Sequence, residues 1–241
     1  MSDMNAQISS AVSGLTRELD IIANNLANIS TVGYKRKCNT FSKILSAQES
    51  QQNSAGEAEL KSAFDFSDGN FIQSGRTLDL ALCGKGFFVV ETAEGPLYTR
   101  NGSFDLNKNG QLVDSQGRTV AGANGPITIP QGISVSQINV ASDGSITAGE
   151  NIIGKLKIVD FKDKENELTA AGLNCYSAPK EVQPGKPENV IVKQGYLEGS
   201  NVQMVEELVD MIMVSRLYEA NMKFLSVGSE NTKSLINVAM G

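Results

Sequence analysis

The stretch ISSAVSGLTRELDIIANNLANI, residues 8–29, decides how the chain reads, because Ile8, Val12, Leu15, Leu19, Ile22, Leu26 and Ile29 recur at alternating steps of four and three. A mean repeat of about 3.5 residues specifies a helix whose apolar seam faces another helix. The same step, started at Met204, picks out Leu208, Met211, Ser215, Tyr218, Met222, Leu225, Ser229, Thr232, Ile236 and Ala239 near the other end. The two ends are therefore expected to pair. Around the first seam sit Ala11, Gly14, Ala23 and Ala27, and residues 1–30 carry only Asp3, Arg17, Glu18 and Asp20 as charges. A solvent-facing coiled coil carries Glu and Lys beside its seam; small residues instead let further helices come close. The expectation is a helix covered on several sides, some of them by other subunits, which puts assembly first among the possible functions.

Outward from that helix, the first turn signal is Gly33, where a positive φ would suit a helix terminus, and Tyr34 to Lys37 read as an extended exit. Residues 46–63 are polar and small, without period, and read as a linker or loop. From about Phe64 to Lys193 the texture changes to short runs of Val, Ile, Phe and Thr separated by Gly, Asn, Asp and Pro, the pattern of a β domain. Strands are expected at 86–90, 111–113, 127–129 and 155–161, with hairpin turns at Asn101-Gly102, Asn109-Gly110 and Asp143-Gly144. Pro179, Pro184 and Pro187 mark a loop, and Ser200 or Asn201 is the expected N-cap of the final helix, with Gln203 completing a capping box. The fold class is α+β: antiparallel N- and C-terminal helices in a coiled-coil-like layer, plus a central β-rich domain. The expected divisions are 1–35 as an assembly helix, 36–69 as a linker, 70–193 as the β domain and 194–241 as a second assembly helix.

Composition narrows the function. The 241 residues hold 21 basic and 27 acidic side chains, a net charge of −6, with no basic stripe to follow a phosphate backbone, so nucleic acid is not an expected partner. No apolar run approaches the roughly 20 residues that span a bilayer, so no membrane insertion is expected, and the N-terminus lacks the features of a cleaved secretory signal. Histidine is absent, which removes the commonest general base and metal ligand. Cys38, Cys83 and Cys175 are odd in number and widely spaced, suggesting neither a disulfide framework nor a CxxC site. No catalytic residue, cofactor site or metal site is expected, and an enzyme using paired carboxylates or Ser with Lys is the rival class.

Two motifs come close to a chemistry and miss it. Residues 149–155 approach the phosphate loop, but Leu156 stands where its hydroxyl residue belongs, and an alternating strand pattern follows instead of a helix. Asp105-x-Asn107-x-Asn109-Gly110 copies the first half of a calcium loop, but position twelve is Gln116, not a bidentate Glu, so a plain turn is expected. Asn28-Ile29-Ser30 and Asn101-Gly102-Ser103 fit the glycosylation pattern, with no secretory signal to give them use.

ANNLANISTVGYK, residues 23–35, resembles the signature ANNLANxxTxG[FY]K at the end of the N-terminal helix in bacterial flagellar rod and hook proteins. QGYLEGSNV at 194–202 resembles the family's entry to its final helix, EELVDMI at 206–212 and RLYEANMK at 216–223 continue it, and LDLAL, GFF and YTRNGSF between Leu78 and Phe104 are similar to its β domain. The resemblance implies a structural subunit of the periplasmic rod, of the FlgF and FlgG class, exported through the flagellar type III export apparatus without a cleaved signal. Its partners would be other copies of itself and other flagellar rod subunits. The length favours the rod over the hook, and the proximal FlgF type over the distal FlgG type. Asn24, Asn25 and Asn28 are expected at contacts between subunits. Thr31, Gly33 and Asn201 join them and the two seams as candidate assembly residues.

Overall fold

The computed structural model describes residues 2–39, 62–149 and 151–240, so residues 40–61, most of the expected linker, lie outside the described residues. It divides into two units. One contains Met1–Ala27, Lys37–Ser62 and Gln203–Gly241; the other contains Asn28–Arg36 and Ala63–Val202.

In the first unit, helix α1 (Ser2–Ala27) and helix α2 (Met204–Met240) lie against each other. The expected seam of α1 is its shielded stripe: Ile22 is buried, while Ile8, Val12, Leu15, Leu19 and Leu26 are half-buried among exposed neighbours such as Ala11, Arg17, Asp20 and Ala23. α2 corrects the expected seam. Its shielded positions are Glu207, Asp210, Met211, Val214, Ser215, Tyr218, Asn221 and Leu225, whereas Met204, Leu208 and Met222 are exposed. The reason is that α2 is apolar on several faces, so periodicity alone selects no single stripe. Ser229, Thr232, Ile236 and Ala239 have side chains outside the described residues.

The second unit carries the β structure and makes the molecule α+β. A nine-stranded sheet runs in the order Thr169–Gly172, Cys175–Ser177, Gly95–Thr99, Phe87–Thr92, Thr119–Gly122, Leu112–Val113 and Asp105–Leu106, with Gly125–Pro126 paired to Thr119–Gly122 and Ile158–Val159 to Phe87–Thr92. A three-stranded meander, Ile138–Val140, Ser145–Ala148 and Asn151–Lys155, accompanies it. Two further ladders join Leu80–Cys83 to Ile191–Gln194 and Phe71–Gln73 to Tyr196–Glu198, both antiparallel.

The central strand shows why this unit holds. FFVV at 87–90 is apolar at every position, and successive side chains of a strand point to opposite faces. Phe88 and Val90 enter one core with Leu80, Leu82, Phe104, Leu112 and Val120, while Phe87 and Val89 enter a second with Phe64, Phe66, Tyr98 and Phe161. Edge-on aromatic pairs mark both cores: Phe88 with Phe104 at 5.1 Å between ring centroids, and Tyr98 with Phe161 at 4.7 Å. Each fully buried ring adds roughly 1.5–3 kcal/mol.

Several local expectations change. Ile127 and Ile129 are buried, but only a single bridge, Thr128 to Gln111, stands where a strand was expected. The run 155–161 is split between the end of Asn151–Lys155 and the pair Ile158–Val159. Asn101-Gly102 is no hairpin turn: the Gly102 carbonyl accepts from the Leu80 amide, and Asn101 closes an Asx turn onto the Ser103 amide. The calcium-like stretch is a turn closed by Asn107, whose Oδ1 accepts from the amides of Asn109 and Gln111, and residues 149–155 feed a strand, not a helix.

Candidate assembly site

The sequence-predicted residues fall into three groups. In the helical unit, the α1 seam is turned toward shielded surroundings and α2 presents a second apolar face. Val205, Leu208, Val209, Ile212, Met213, Leu217, Phe224 and Val227 are all exposed, Val205 to 73% and Phe224 to 71%. Phe224 and Val227, like Val205 and Val209, are three or four residues apart and so neighbours on the helix surface. So many large apolar side chains on one helix form a surface with the composition of an interface.

The asparagines behave differently from one another. Asn25 is fully buried and its amide is spent inside the chain: Nδ2 donates to the Lys37 carbonyl (3.0 Å) and to Glu207 Oε2 (3.2 Å), and Oδ1 accepts from the Lys37 amide (2.9 Å). Its expected place at a contact between subunits is thus corrected: a buried amide must be satisfied where it lies, and here the returning chain and α2 satisfy it. Asn24 is exposed and its Nδ2 donates to the Asp20 carbonyl (2.7 Å), one turn back. Asn28 is half-buried at the helix end and accepts from the Thr31 hydroxyl (3.1 Å), with Ile29 half-buried beside it.

The third group lies in the β-rich unit, in the segments 28–36 and 194–202. Gly33 has φ +68°, as expected, and its amide donates to the Glu198 carbonyl (2.8 Å). A β-carbon there would collide with the backbone of Asn101. Asn201 is not the N-cap of α2. Its Oδ1 accepts from the Arg36 amide (2.7 Å) and its Nδ2 donates to the Asp65 carbonyl (2.8 Å), while α2 begins at Met204 with the Gln203 carbonyl accepting from the Glu207 amide. Gln203 therefore completes no capping box with Ser200. Glu206 and Glu207 in the first turn suit the positive end of the helix dipole.

Sequence reasoning missed the charged centre of these segments. Lys35 Nζ, fully buried, donates to Glu198 Oε1 (2.6 Å) and to the Ser67 carbonyl (2.5 Å). Glu198, also buried, accepts from the Gly69 amide (3.0 Å) and lies 3.4 Å from Arg100 Nη1. Arg100 is buried too; its Nε and Nη2 have no hydrogen-bond partner among the described residues, and its guanidinium stands 5.3 Å from the centroid of the Phe87 ring. Burial pulls the Lys35 ammonium below the ordinary lysine range, and the Glu198 carboxylate opposes that pull. A lone Glu in the stretch 194–202 and a Lys at the head of the basic run 35–37 were the available signal. Their pairing across 163 residues was not. Among the described residues no cluster suits a metal ion and no helix is long and apolar enough to cross a membrane.

With that geometry in place, comparison with known proteins gives a consistent picture. Three family profiles match: Flagella basal body rod protein at residues 8–35, Flagellar hook protein FlgE/F/G D1 domain at 81–148, and Flagellar basal body rod FlgEFG protein C-terminal at 193–238. The chain is 34% identical to the flagellar basal-body rod protein FlgG of Buchnera aphidicola over 245 residues, covering 90% of this chain and 92% of the relative. It is 35% identical to FlgG of Agrobacterium fabrum, covering 88% and 90%. It is 33% identical to the flagellar basal-body rod protein FlgF of Salmonella typhimurium over 234 residues, covering 92% of each.

Proposed function

Because the chain belongs to the flagellar basal-body rod protein family, and is with it a structural subunit of the flagellum and not an enzyme, we propose that it polymerises through its terminal helices. The observation that carries this is the exposed apolar face of α2, which the chain's own α1 leaves open. The seam residues Ile8, Val12, Leu15, Leu19, Ile22 and Leu26 with Met211, Tyr218 and Leu225 hold the helix pair in a coiled-coil-like layer, while Ile29 lies past the end of α1 in the segment that follows it. Met204, Leu208 and Met222, together with Val205, Val209, Leu217 and Phe224, meet other copies of the chain and other rod subunits. Asn24 is available to such neighbours; Asn28, Thr31, Gly33 and Asn201 shape the segments that join helices to β structure. In this reading 1–35 and 194–241 are the assembly segments, 36–69 the linker and 70–193 the β-rich domain.

The subunit reaches the periplasm through the flagellar type III export apparatus. Its 33% identity to an FlgF relative supports the proximal, FlgF-type position; the similar identity to FlgG relatives supports the distal position as a second reading. Purifying basal bodies from cells whose only copy of the chain is tagged tests both parts. The tagged chain should copurify with the rod, and substituting Val205 and Phe224 together by Asp should abolish copurification while the β-rich unit melts as before. Persistence of the tag in basal bodies arrested before the distal rod would support the proximal position, and its loss there the distal one.

A further inference from the structure

We infer that the buried hydrogen bond from Asn25 to Glu207 sets the register between the two terminal helices. The apolar seams cannot do this. On α1 the seam residues repeat every seven positions, Val12 with Leu19 and Leu26, Ile8 with Leu15 and Ile22; on α2 Met211, Tyr218 and Leu225 do the same. Sliding one helix past the other by seven residues, about 10 Å at 1.5 Å per residue, brings apolar knobs back onto apolar holes. A buried polar residue on such a seam is the kind of feature that distinguishes one register from its neighbours.

Asn25 and Glu207 have the required burial, both fully enclosed, and the contact of 3.2 Å places the last turn of α1 beside the first turn of α2. Helices meeting there and running side by side pair positions whose numbers sum to about 232. A slip of seven in one direction puts Asn25 opposite Val214, which offers no acceptor. A slip in the other puts Glu207 opposite Glu18, carboxylate against carboxylate. Both slips are penalised, one by an unsatisfied amide and one by like charge. The reciprocal bonds of Asn25 with the Lys37 backbone fix the amide's orientation, so its remaining N–H is held toward Glu207. Asn25 is a positioning residue: it sets which turns of α1 stand beside which turns of α2, and so where along the pair the outward face of α2 lies. This inference concerns the single chain and stands whether or not that outward face binds other subunits.

The test is a distance measurement in the full-length chain. With Cys38, Cys83 and Cys175 replaced by Ser, the exposed residues Arg17 and Arg216 are replaced by Cys and spin-labelled, and pulsed electron paramagnetic resonance reads their separation. The reference chain should give one narrow distribution. Glu207→Leu, which keeps the position shielded and leaves the Asn25 bonds to Lys37 in place, should retain the helix content by circular dichroism yet add a second population at longer distance, because a heptad slip of about 10 Å along the axis adds in quadrature to the lateral separation of the two labels. Glu207→Gln, whose side-chain carbonyl can still accept from Asn25 Nδ2, should keep the single native distance. A single native distance in Glu207→Leu would overturn the inference. So would a Glu207→Gln chain that populates the longer distance as much as Glu207→Leu, or a reference chain without a defined distance.

Discussion

Phe88 and Phe224 are the same side chain in opposite circumstances. Phe88 is wholly enclosed in the β-rich unit, edge-on to Phe104, whereas Phe224 stands 71% exposed on α2. The contrast extends to the units around them. The β-rich unit splits its apolar residues between two internal cores and buries three charged groups, Lys35, Glu198 and Arg100, in contact with one another. The helical unit covers one stripe of each helix and leaves a second stripe of α2 open. A unit whose apolar surface is spent internally supplies its own stability. One that leaves comparable surface in water has it available for association.

Substitutions of the same kind in the two units test the contrast. Removing the largest internal contribution should have the largest effect: Phe88→Ala is expected to destabilise the β-rich unit by roughly 3–5 kcal/mol through lost transfer energy and a residual cavity, measured by denaturant unfolding of the full chain. Glu198→Gln should cost nearly as much, about 3 kcal/mol, because it leaves Lys35 buried without its paired carboxylate and Arg100 with only the half-exposed Asp68 at 3.4 Å; an unchanged unfolding midpoint would show that this network is not needed for the unit's stability. Gly33→Ala combines a left-handed φ with a collision against Asn101 and should cost about 2 kcal/mol, readable as a lowered thermal midpoint.

The matching change in the helical unit should hardly register in such measurements. Phe224→Ala is expected to move stability by no more than about 0.5 kcal/mol, as at other exposed positions, while lowering incorporation into basal bodies at least tenfold on the assembly reading; incorporation at the normal level would break the comparison. The smallest effect is expected at Asp143, which Lys155 and Ser145 hold well below the usual carboxylate range. Its folded-state pKa lies under the unfolded value of 3.8, so its small contribution is present above that pH and fades as pH falls through the folded value. Asp143→Asn should therefore flatten only the acid limb of a stability-against-pH curve.

The sequence by itself determined the α1 seam, the change to β texture after Phe64, and the turns at Gly33, Asn109-Gly110 and Asp143-Gly144. Each is written in residues close along the chain, where side-chain period and positive φ act locally. It also carried the family resemblance, in motifs at both ends. The face α2 turns inward was not legible, because Leu208, Val209, Met211, Ile212 and Met213 make several faces of that helix equally apolar and the choice falls to its contact with α1. The tertiary structure alone decided the roles of Asn25, Lys35, Arg100 and Glu198. A buried polar group needs its partner within hydrogen-bonding distance, and Lys35 finds Glu198 across 163 residues, while Asn25 finds Glu207 across 182. Local sequence fixes what a side chain can donate or accept, and only the folded chain fixes what it meets.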